Sequence, residues 1–303
     1  RIEMLSFVFV VLAILSAFAI AAPPAGYVPT PGGFVHVSCL HHAGNASTVK
    51  QLADGSHELT FANGIKAIHS KCKYPRIPAH KGKQQQQQRA TTPAPPNNGW
   101  QVFSYFNAGK TVNKYTGNWN VPQSPSYNGQ LLYTFTAFQD CFGANCPYKS
   151  VDIIQPVLQF GVSPAGGGDY WGIASWYVSS DGAAYFSTFQ KVADSSSVYG
   201  EMLKTGDNSP TNNKWAITTK GSGSPTVLNV HYQDTFIEPW TFVTLEVYGV
   251  KSCSAYPSDP LKYTSLAISD GSPITPQWIL SNANNACNEK VSSSGPSAVT
   301  ITW

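Results

Sequence analysis

A glutamate and two glutamines interrupt stretches of the sequence that are otherwise apolar and β-prone. Glu246 is the only charged residue between Trp240 and Lys251, and Gln155 and Gln159 stand four residues apart in the stretch IIQPVLQFG. A carboxylate can take a proton from water and return it to a leaving group. An amide can donate a hydrogen bond to a developing oxyanion without titrating. Together, these residue types could carry out acid–base hydrolysis if the fold brings them to one cleft.

Strand geometry says which of these side chains can face the same way. Side chains alternate between the two faces of a strand, so Gln155 and Gln159 share a face, unless Pro156 forces a bulge. By the same alternation Glu246 and Tyr248 share a face of a later strand. Each polar residue also has an ordinary structural interpretation: Glu246 as a solvated outer-face residue, and Gln159 as an amide that satisfies neighbouring backbone groups.

The elements that must position these residues are strands. Only 12% of the residues are charged, whereas Gly, Pro, Ser, Thr, Asn and Tyr are abundant, a composition that favours strands and turns over long helices. About ten short β-prone stretches fill residues 99–303, separated by turn sequences such as GGGD, SSDG and GSGSP. The pattern predicts an all-β fold, namely a two-sheet antiparallel β-sandwich of the jelly-roll or concanavalin-like type.

The first 22 residues have the pattern of a secretory signal peptide. An apolar run begins at Met4 and ends in small residues at positions 19–22, just before Pro23 and Pro24. A membrane anchor is the alternative, because the run is near the minimum length of a spanning helix. We predict a secreted, extracellular protein that keeps no membrane attachment after cleavage of residues 1–22.

Composition divides the rest of the chain into two parts. A glutamine- and proline-rich stretch at residues 84–98 is a low-complexity linker that cannot form a packed core. It separates residues 23–83, here called the N-terminal segment, from residues 99–303, here called the β domain. Six of the seven histidines precede the linker.

The two parts carry opposite net charge. Residues 23–89 contain six Lys and two Arg against two carboxylates, a net of +6, whereas residues 90–303 contain ten Lys against thirteen Asp or Glu, a net of −3. Opposite charges favour docking, so we interpret the N-terminal segment as a propeptide that covers the β domain in cis and is cut near Arg89. Acid would charge its histidines and neutralise carboxylates, which would weaken the docking. A basic module on a flexible tether is the alternative.

Six cysteines in a secreted chain predict disulfides. We predict the three pairs that stay within one part of the chain: Cys39 with Cys72, Cys141 with Cys146, and Cys253 with Cys287. The spacings and neighbouring histidines of a zinc site are missing, so we expect no metal site and no cofactor. The chain has one glycosylation sequon, at Asn45-Ala46-Ser47.

The order of four short motifs resembles that of the eqolisins, the secreted fungal glutamic endopeptidases. These motifs are YTGNWNVPQSPS (115–126), VLQFG (157–161), ASWYV (174–178) and VTLEVYG (243–249). The resemblance implies that Glu246 acts on water as general base and then general acid, and that Gln159 orients the water and binds the oxyanion. It also implies polypeptide substrates and maximal activity below neutrality, because the unperturbed glutamate pKa is about 4.3.

The same region is also similar to the neprosins, the plant-type glutamic peptidases. The stretch LQFGVSPAGGGDYWGIASWYVSSDGAAYF resembles their strand with its aromatic pair and Asp-Gly turn. Neprosins use two glutamates, however, and Gln159 stands where the first would be, so the residue pair favours the eqolisin type. Two positions depart from the eqolisin pattern: Val247 follows Glu246 where Trp is usual, and Phe160 replaces a small polar residue. We expect four aromatic residues to line substrate subsites: Trp119, Trp171, Trp176 and Tyr248.

Carbohydrate chemistry is the main alternative function. Eight Trp and fifteen Tyr in a β-sandwich could line the groove of a lectin or of a glycosidase. A glycosidase needs two carboxylates across a cleft, and the candidates are Glu201, Glu238 and Glu246, although no E-x-D-x-E spacing occurs on one strand. A non-catalytic sandwich that keeps only the fold is a third possibility.

Several other function classes lack their residues. A serine triad needs a histidine, and the β domain has only His231 and no G-x-S-x-G sequence. Residues 90–303 contain no Arg and are net acidic, which argues against nucleic acid as a partner. The resemblance to glutamic peptidases leaves polypeptides as the expected substrates, and we also expect a monomer.

Overall fold

The computed structural model describes residues 23–79, 98–142, 146, 151–207, 209, 212–232, 239–282 and 287–303. The predicted signal peptide, the predicted cut at Arg89 and nearly all of the linker lie outside the described residues. In the part of the chain that is described, no helix is long and apolar enough to cross a membrane.

Strands make up nearly all of the regular structure, joined in the described ranges by short 3-10 turns at Val37–Cys39 and Cys253–Ala255. The strands of the N-terminal segment are β1 Tyr27–Thr30, β2 Gly33–His36, β3 Leu40–His42, β4 Ser47–Gln51, β5 His57–Thr60, β6 Lys66–His69 and β7 Ile77–Pro78. The strands that follow are β8 Asn98–Asn107, β9 Lys114–Asn120, β10 Leu131–Gln139, β11 Ile153–Ser163, β12 Gly166–Val178, β13 Ala184–Phe186, β14 Gln190–Lys191, β15 Ser197–Lys204, β16 Asn213–Lys220, β17 Thr226–Tyr232, β18 Trp240–Tyr248, β19 Leu261–Ser269, β20 Pro273–Ile274, β21 Ile279–Asn282, β22 Lys290–Gly295 and β23 Ala298–Thr302.

Two large sheets pack face to face. The nine-stranded sheet has the order β21-β8-β18-β10-β11-β12-β13-β3, with β14 beside β12. The eleven-stranded sheet has the order β22-β23-β19-β9-β15-β16-β17-β4-β5-β6, with β20 beside β19. The long strands of the β domain pair antiparallel. The prediction of an all-β, two-sheet sandwich is therefore confirmed.

Alternation along the strands makes the nine-stranded sheet apolar on both faces. Leu132 and Leu158 point into the core between the two large sheets. Tyr133, Phe135 and Val157 point to the opposite face, where they belong to a second buried cluster. An antiparallel sheet that is apolar on both faces needs a second covering layer, and the N-terminal segment supplies it.

The N-terminal segment joins both large sheets and also covers the second face. Its strand β3 pairs in parallel with β13, and its strand β4 pairs in parallel with β17. Strands β1, β2 and β7 form a separate three-stranded sheet, from which Val35 enters the cluster on the covered face. Strand addition at two sheet edges therefore fixes where the β1–β2 hairpin lies.

The disulfides follow the division of the chain into two parts. Cys39 and Cys72 pair within the N-terminal segment, and the other two bonds lie within the β domain, joining Cys141 to Cys146 and Cys253 to Cys287. These are the three pairs predicted, and no free cysteine remains. No disulfide therefore links the N-terminal segment to the β domain.

Candidate active site

Glu246 and Gln159 lie on the same face of the nine-stranded sheet, on either side of Tyr133. Strand β10 runs between β18 and β11, and Tyr133 is directly opposite Glu246 on one side and Gln159 on the other. Directly opposed residues of antiparallel strands share a face, and two strand spacings separate their backbones by about 10 Å. The hydroxyl of Tyr133 donates to the carbonyl oxygen of Pro29, at 3.3 Å, so the N-terminal segment covers this row.

Glu246 is fully buried and accepts hydrogen bonds at both carboxylate oxygens. Its Oε2 accepts from the backbone N–H of Gly32 at 2.8 Å and from Nε1 of Trp100 at 3.1 Å. Its Oε1 accepts from the hydroxyl of Tyr248. Burial raises the pKa of Glu246 to about 7, although these donors and the positive charge of Arg76 oppose the shift. The carboxyl is thus poised near neutrality while the N-terminal segment covers it.

Gln159 uses its whole amide within the turn between β11 and β12. Its Nε2 donates to the carbonyl oxygens of Gly161, at 2.8 Å, and Gly166, at 2.9 Å. Its Oε1 accepts from the hydroxyl of Ser163 at 2.7 Å. A side-chain amide has only two hydrogens to donate. Gln159 therefore braces this turn and has no amide hydrogen left for a ligand.

Gln155 and Glu246 contact neighbouring residues of the N-terminal segment, Pro31 and Gly32. Gln155 is buried, and its Nε2 donates to the carbonyl oxygen of Pro31 at 2.5 Å. The following residue, Gly32, donates its N–H to Glu246. One peptide group, Pro31–Gly32, therefore has its carbonyl oxygen on Gln155 and its nitrogen on Glu246. Among the described residues, Oε1 of Gln155 has no hydrogen-bond partner.

This peptide group forms the tip of the β1–β2 hairpin. Thr30 pairs with Gly33 on either side of it, and Gly32 has a φ of +106°, a left-handed conformation that suits glycine. Pro at the first and Gly at the second central position is the signature of a type II turn. The hydroxyl of Tyr248, whose single hydrogen is directed at Glu246, lies 3.2 Å from the carbonyl oxygen of Thr30. The hairpin tip is thus held by main-chain groups.

Arg76, also from the N-terminal segment, brings a buried positive charge to this face. Its side chain is 5% exposed, and burial lowers its pKa, against the attraction of Asp152, Asp140 and Glu246. Burial and the neighbouring Asp152 raise the pKa of Asp140 to about 8, which Arg76 opposes. Asp152 is also buried and accepts from the hydroxyl of Tyr177 at 3.0 Å. Arg76 therefore places a buried positive charge near this group of acidic side chains.

The four aromatic residues expected to bind substrate separate into two pairs. Trp119 and Trp171 are each 1% exposed and fill the core between the two large sheets, so they do not line the face that carries Glu246. Trp176 and Tyr248 lie on that face, where the ring of Trp176 meets that of Tyr133 edge-on at 6.4 Å. Only this second pair is placed to line a groove beside Glu246.

The carboxylates considered for a glycosidase do not share a cleft. Glu201 lies on β15 of the other sheet and forms a salt bridge with Lys114 at 2.7 Å, and Glu238 lies outside the described residues. The sequon residue Asn45 is half-buried in the turn between β3 and β4, where the hydroxyl of Ser47 donates to a backbone carbonyl oxygen. Within the described ranges, no cluster of His, Cys, Asp or Glu could hold a metal ion.

No family model and no curated protein matches this sequence. Two solved structures are similar to the chain, each covering 69% of it and 100% of the other chain. One is SCP-B, a member of the Eqolisin family of peptidases in complex with the tripeptide Ala-Ile-His, at 16% identity and a TM-score of 0.45. The other is scytalido-glutamic peptidase with a transition state analog inhibitor, at 15% identity and a TM-score of 0.46. The structural neighbours reported for this chain are therefore eqolisin-family peptidases at low identity.

Proposed function

We propose that this chain is a glutamic-type endopeptidase in a latent form, with Glu246 and Gln155 as the residues that act on the peptide bond. The observation that carries the proposal is the Pro31–Gly32 peptide group, whose oxygen and nitrogen are bound by these two side chains. A hydrolase of this type has to stabilise the carbonyl oxygen and deliver a proton to the nitrogen, so each side chain lies beside the atom on which it would act, although in the covered state Glu246 accepts from the N–H. The sequence resemblance to the eqolisins, with its glutamine and glutamate, supports the same reaction class.

The reaction requires only groups that are present in this chain. Ionised Glu246 removes a proton from water, and the water oxygen attacks the carbonyl carbon. The negative charge that develops on the carbonyl oxygen is stabilised by the amide N–H of Gln155. Protonated Glu246 then donates to the amine nitrogen as the C–N bond breaks, which restores the carboxylate. Oε1 of Gln155 remains free to orient the water.

The covered state described here would be inactive. Glu246 has no exposed surface, and each of its carboxylate oxygens already accepts a hydrogen bond. We therefore propose that the N-terminal segment is a propeptide and that turnover requires its removal. Once uncovered, Glu246 would lose part of the burial that raises its pKa, so its pKa would fall towards the ordinary value of 4.5. Maximal activity is then expected below neutrality, where Glu246 can be ionised and still return its proton.

Gln155 replaces Gln159 in this proposal because of where the amide hydrogens go. Gln159 lies on the correct face but spends both hydrogens on backbone carbonyls, whereas Gln155 directs one at a peptide carbonyl. Secretion and the likeness to neprosins stay predictions from the sequence.

The test is acid proteolysis of denatured casein at about pH 4, near the ordinary glutamate pKa, with pepstatin present to exclude aspartic peptidases. Glu246→Gln should abolish cleavage, and Gln155→Ala should reduce kcat by about 100- to 1000-fold. Glu201→Gln, a carboxylate of the other sheet, is the matched control and should retain activity.

Two outcomes would change the proposal. Cleavage that survives in Glu246→Gln rejects the peptidase assignment. Loss of turnover in a folded Gln159→Ala variant, with Gln155→Ala active, returns the oxyanion role to Gln159.

A further inference from the structure

The N-terminal segment remains on the β domain through non-covalent contacts alone. Its disulfide, between Cys39 and Cys72, closes within the segment, so a cut in the linker would leave no covalent bond between the two parts. The contacts that remain include the strand pairs β3–β13 and β4–β17, the hairpin tip, Arg76 and a cluster of histidines. Apolar packing adds to them, because Val35, Val49 and Leu59 of the segment are buried in the two cores. Whatever weakens these contacts will uncover the site.

Three histidines of the segment converge on Tyr185 and Asp181 of the β domain. His57 and His69 are directly paired across β5 and β6, and the rings of His41 and His69 lie 3.8 Å apart. All three rings contact that of Tyr185, at centroid distances of 4.9 Å for His41, 5.3 Å for His57 and 6.0 Å for His69. Nδ1 of His57 lies 3.7 Å from Oδ2 of Asp181. We call these three residues the histidine cluster.

The surroundings of the cluster favour neutral imidazoles. His57 is fully buried, and neither of its ring nitrogens has a hydrogen-bond partner among the described residues. Burial lowers the pKa of all three histidines. Neighbouring histidines add to the effect at His41, whose pKa is lowered to about 4, and at His69, whereas Asp181 and Asp152 oppose it at His57. The other ionisable groups that face the cluster are Asp181, Asp152 and Tyr177. Of these groups, only the carboxylates of Asp181 and Asp152 would attract an imidazolium. Two carboxylates therefore have to compensate any charge on three imidazole rings.

We propose that the histidine cluster is an acid-sensitive latch: protonation of its packed rings displaces the N-terminal segment from the β domain and uncovers Glu246. The latch as such is a property of the interface, and its consequence for activity rests on the proposed peptidase function.

The direction of the effect follows from proton uptake. Released histidines bind protons near their ordinary pKa of 6.5, whereas docked ones resist protonation until lower pH. The released state therefore holds more protons in acid, and docking weakens as the pH falls from about 6.5 towards 4. For His41 alone the shift weakens docking by about a hundredfold over that range. Glu246 acts in the opposite direction, because its pKa of about 7 in the docked state falls towards 4.5 on release, so the docked state takes up that proton first. The three histidines together oppose this one carboxyl, and a Glu246→Gln background removes its contribution from the measurement.

Hydrogen exchange of the intact full-length chain measures docking without any need for catalysis. The readout is protection of the backbone amides in β4 and β5, corrected for the intrinsic pH dependence of exchange, in a Glu246→Gln background that prevents self-cleavage. The unaltered latch should lose this protection with a midpoint between pH 6.5 and 4. Replacing His41, His57 and His69 together by Gln should move the midpoint down by at least one pH unit. His42→Gln, a more exposed histidine of the same segment, should leave it unchanged.

A second variant keeps the proposal testable if the triple replacement does not fold. Asp181→Asn removes the nearest carboxylate from His57, so it should lower the pKa of docked His57 further and move release to higher pH. Release at an unchanged pH in either folded variant overturns the latch. Acid release as predicted, without casein cleavage by the chain with Glu246 intact, rejects the peptidase but keeps the latch. Casein cleavage by the chain with Glu246 intact, combined with release at a pH that the histidine replacements do not change, rejects the latch but keeps the peptidase.

Discussion

Gln155 and Glu246 bind opposite ends of one peptide group, although they come from strands that are separated by β10. Gln155 donates to the carbonyl oxygen of Pro31, and Glu246 accepts from the N–H of Gly32. Neither contact involves a side chain of the bound segment, so the pair recognises the peptide unit as such. Under the proposed function, recognition of the peptide unit alone would suit substrates of varied sequence, and it allows a hairpin tip of the same chain to occupy the site.

We predict that Gly32→Ala weakens latency. Gly32 has a φ of +106°, and an added Cβ would come within 3.1 Å of Ile153, so the hairpin tip must shift away from Glu246 at a cost of about 1–2 kcal/mol. The expected result is earlier loss of protection in β1 and β2 on acidification, and casein cleavage at a higher pH than for the unaltered chain.

Gly64→Ala is the matched control, because Gly64 lies in the same segment with a φ of +83° but no atom within 4 Å of an added Cβ. It should cost similar backbone strain without changing the pH of activation. Equal behaviour of the two variants would mean that the hairpin tip does not hold the site closed.

We predict that Tyr248→Phe shifts the pH profile rather than abolishing turnover. The Tyr248 hydroxyl donates to Glu246 and lowers its pKa against the larger effect of burial. Without that donor the pKa of Glu246 rises. Because the reaction needs ionised Glu246, the acidic limb of the kcat/KM profile then moves to higher pH. The measurement is kcat/KM across pH for the activated enzyme. An unshifted limb would show that the hydroxyl serves only to hold Thr30 in the covered state.

We predict that Arg76→Gln destabilises the full-length protein, and more so in mildly alkaline buffer than at pH 5. Arg76 opposes the burial that raises the pKa of Asp140 to about 8. Among the described residues no direct ion pair joins Arg76 to these carboxyls, so we expect the loss of its charge to cost less than the about 3–5 kcal/mol of a broken buried pair while the carboxyls are ionised, and less again once they are protonated. Urea unfolding at both pH values measures the difference. Lys66→Gln, which breaks the exposed pair with Glu58, is the control and should cost about 1 kcal/mol or less.

Local rules were enough for several features of this protein. Alternation along a strand placed Glu246 and Tyr248 on one face, and it also placed Gln155 and Gln159 on one face, because side-chain direction depends only on residue parity. The same parity puts Trp171 and Trp176, five residues apart, on opposite faces of β12, which our expectation that both line substrate subsites did not take into account. The division of the chain at the linker is enough to pair Cys39 with Cys72, whereas it leaves three pairings open for the four cysteines of the β domain.

Only the tertiary structure showed which groups each glutamine binds and what covers Glu246. Residue parity gives the face of a strand on which a side chain lies, but not which residues of neighbouring strands lie opposite it. That depends on the register between β10, β11 and β18, which is set by pairing across distant segments. The turn after β11 consumes the amide of Gln159, and no local signal announces that contact. The histidine cluster likewise forms only when β5 and β6 extend one sheet while β3 extends the other, because long-range strand addition brings together residues that the sequence keeps apart.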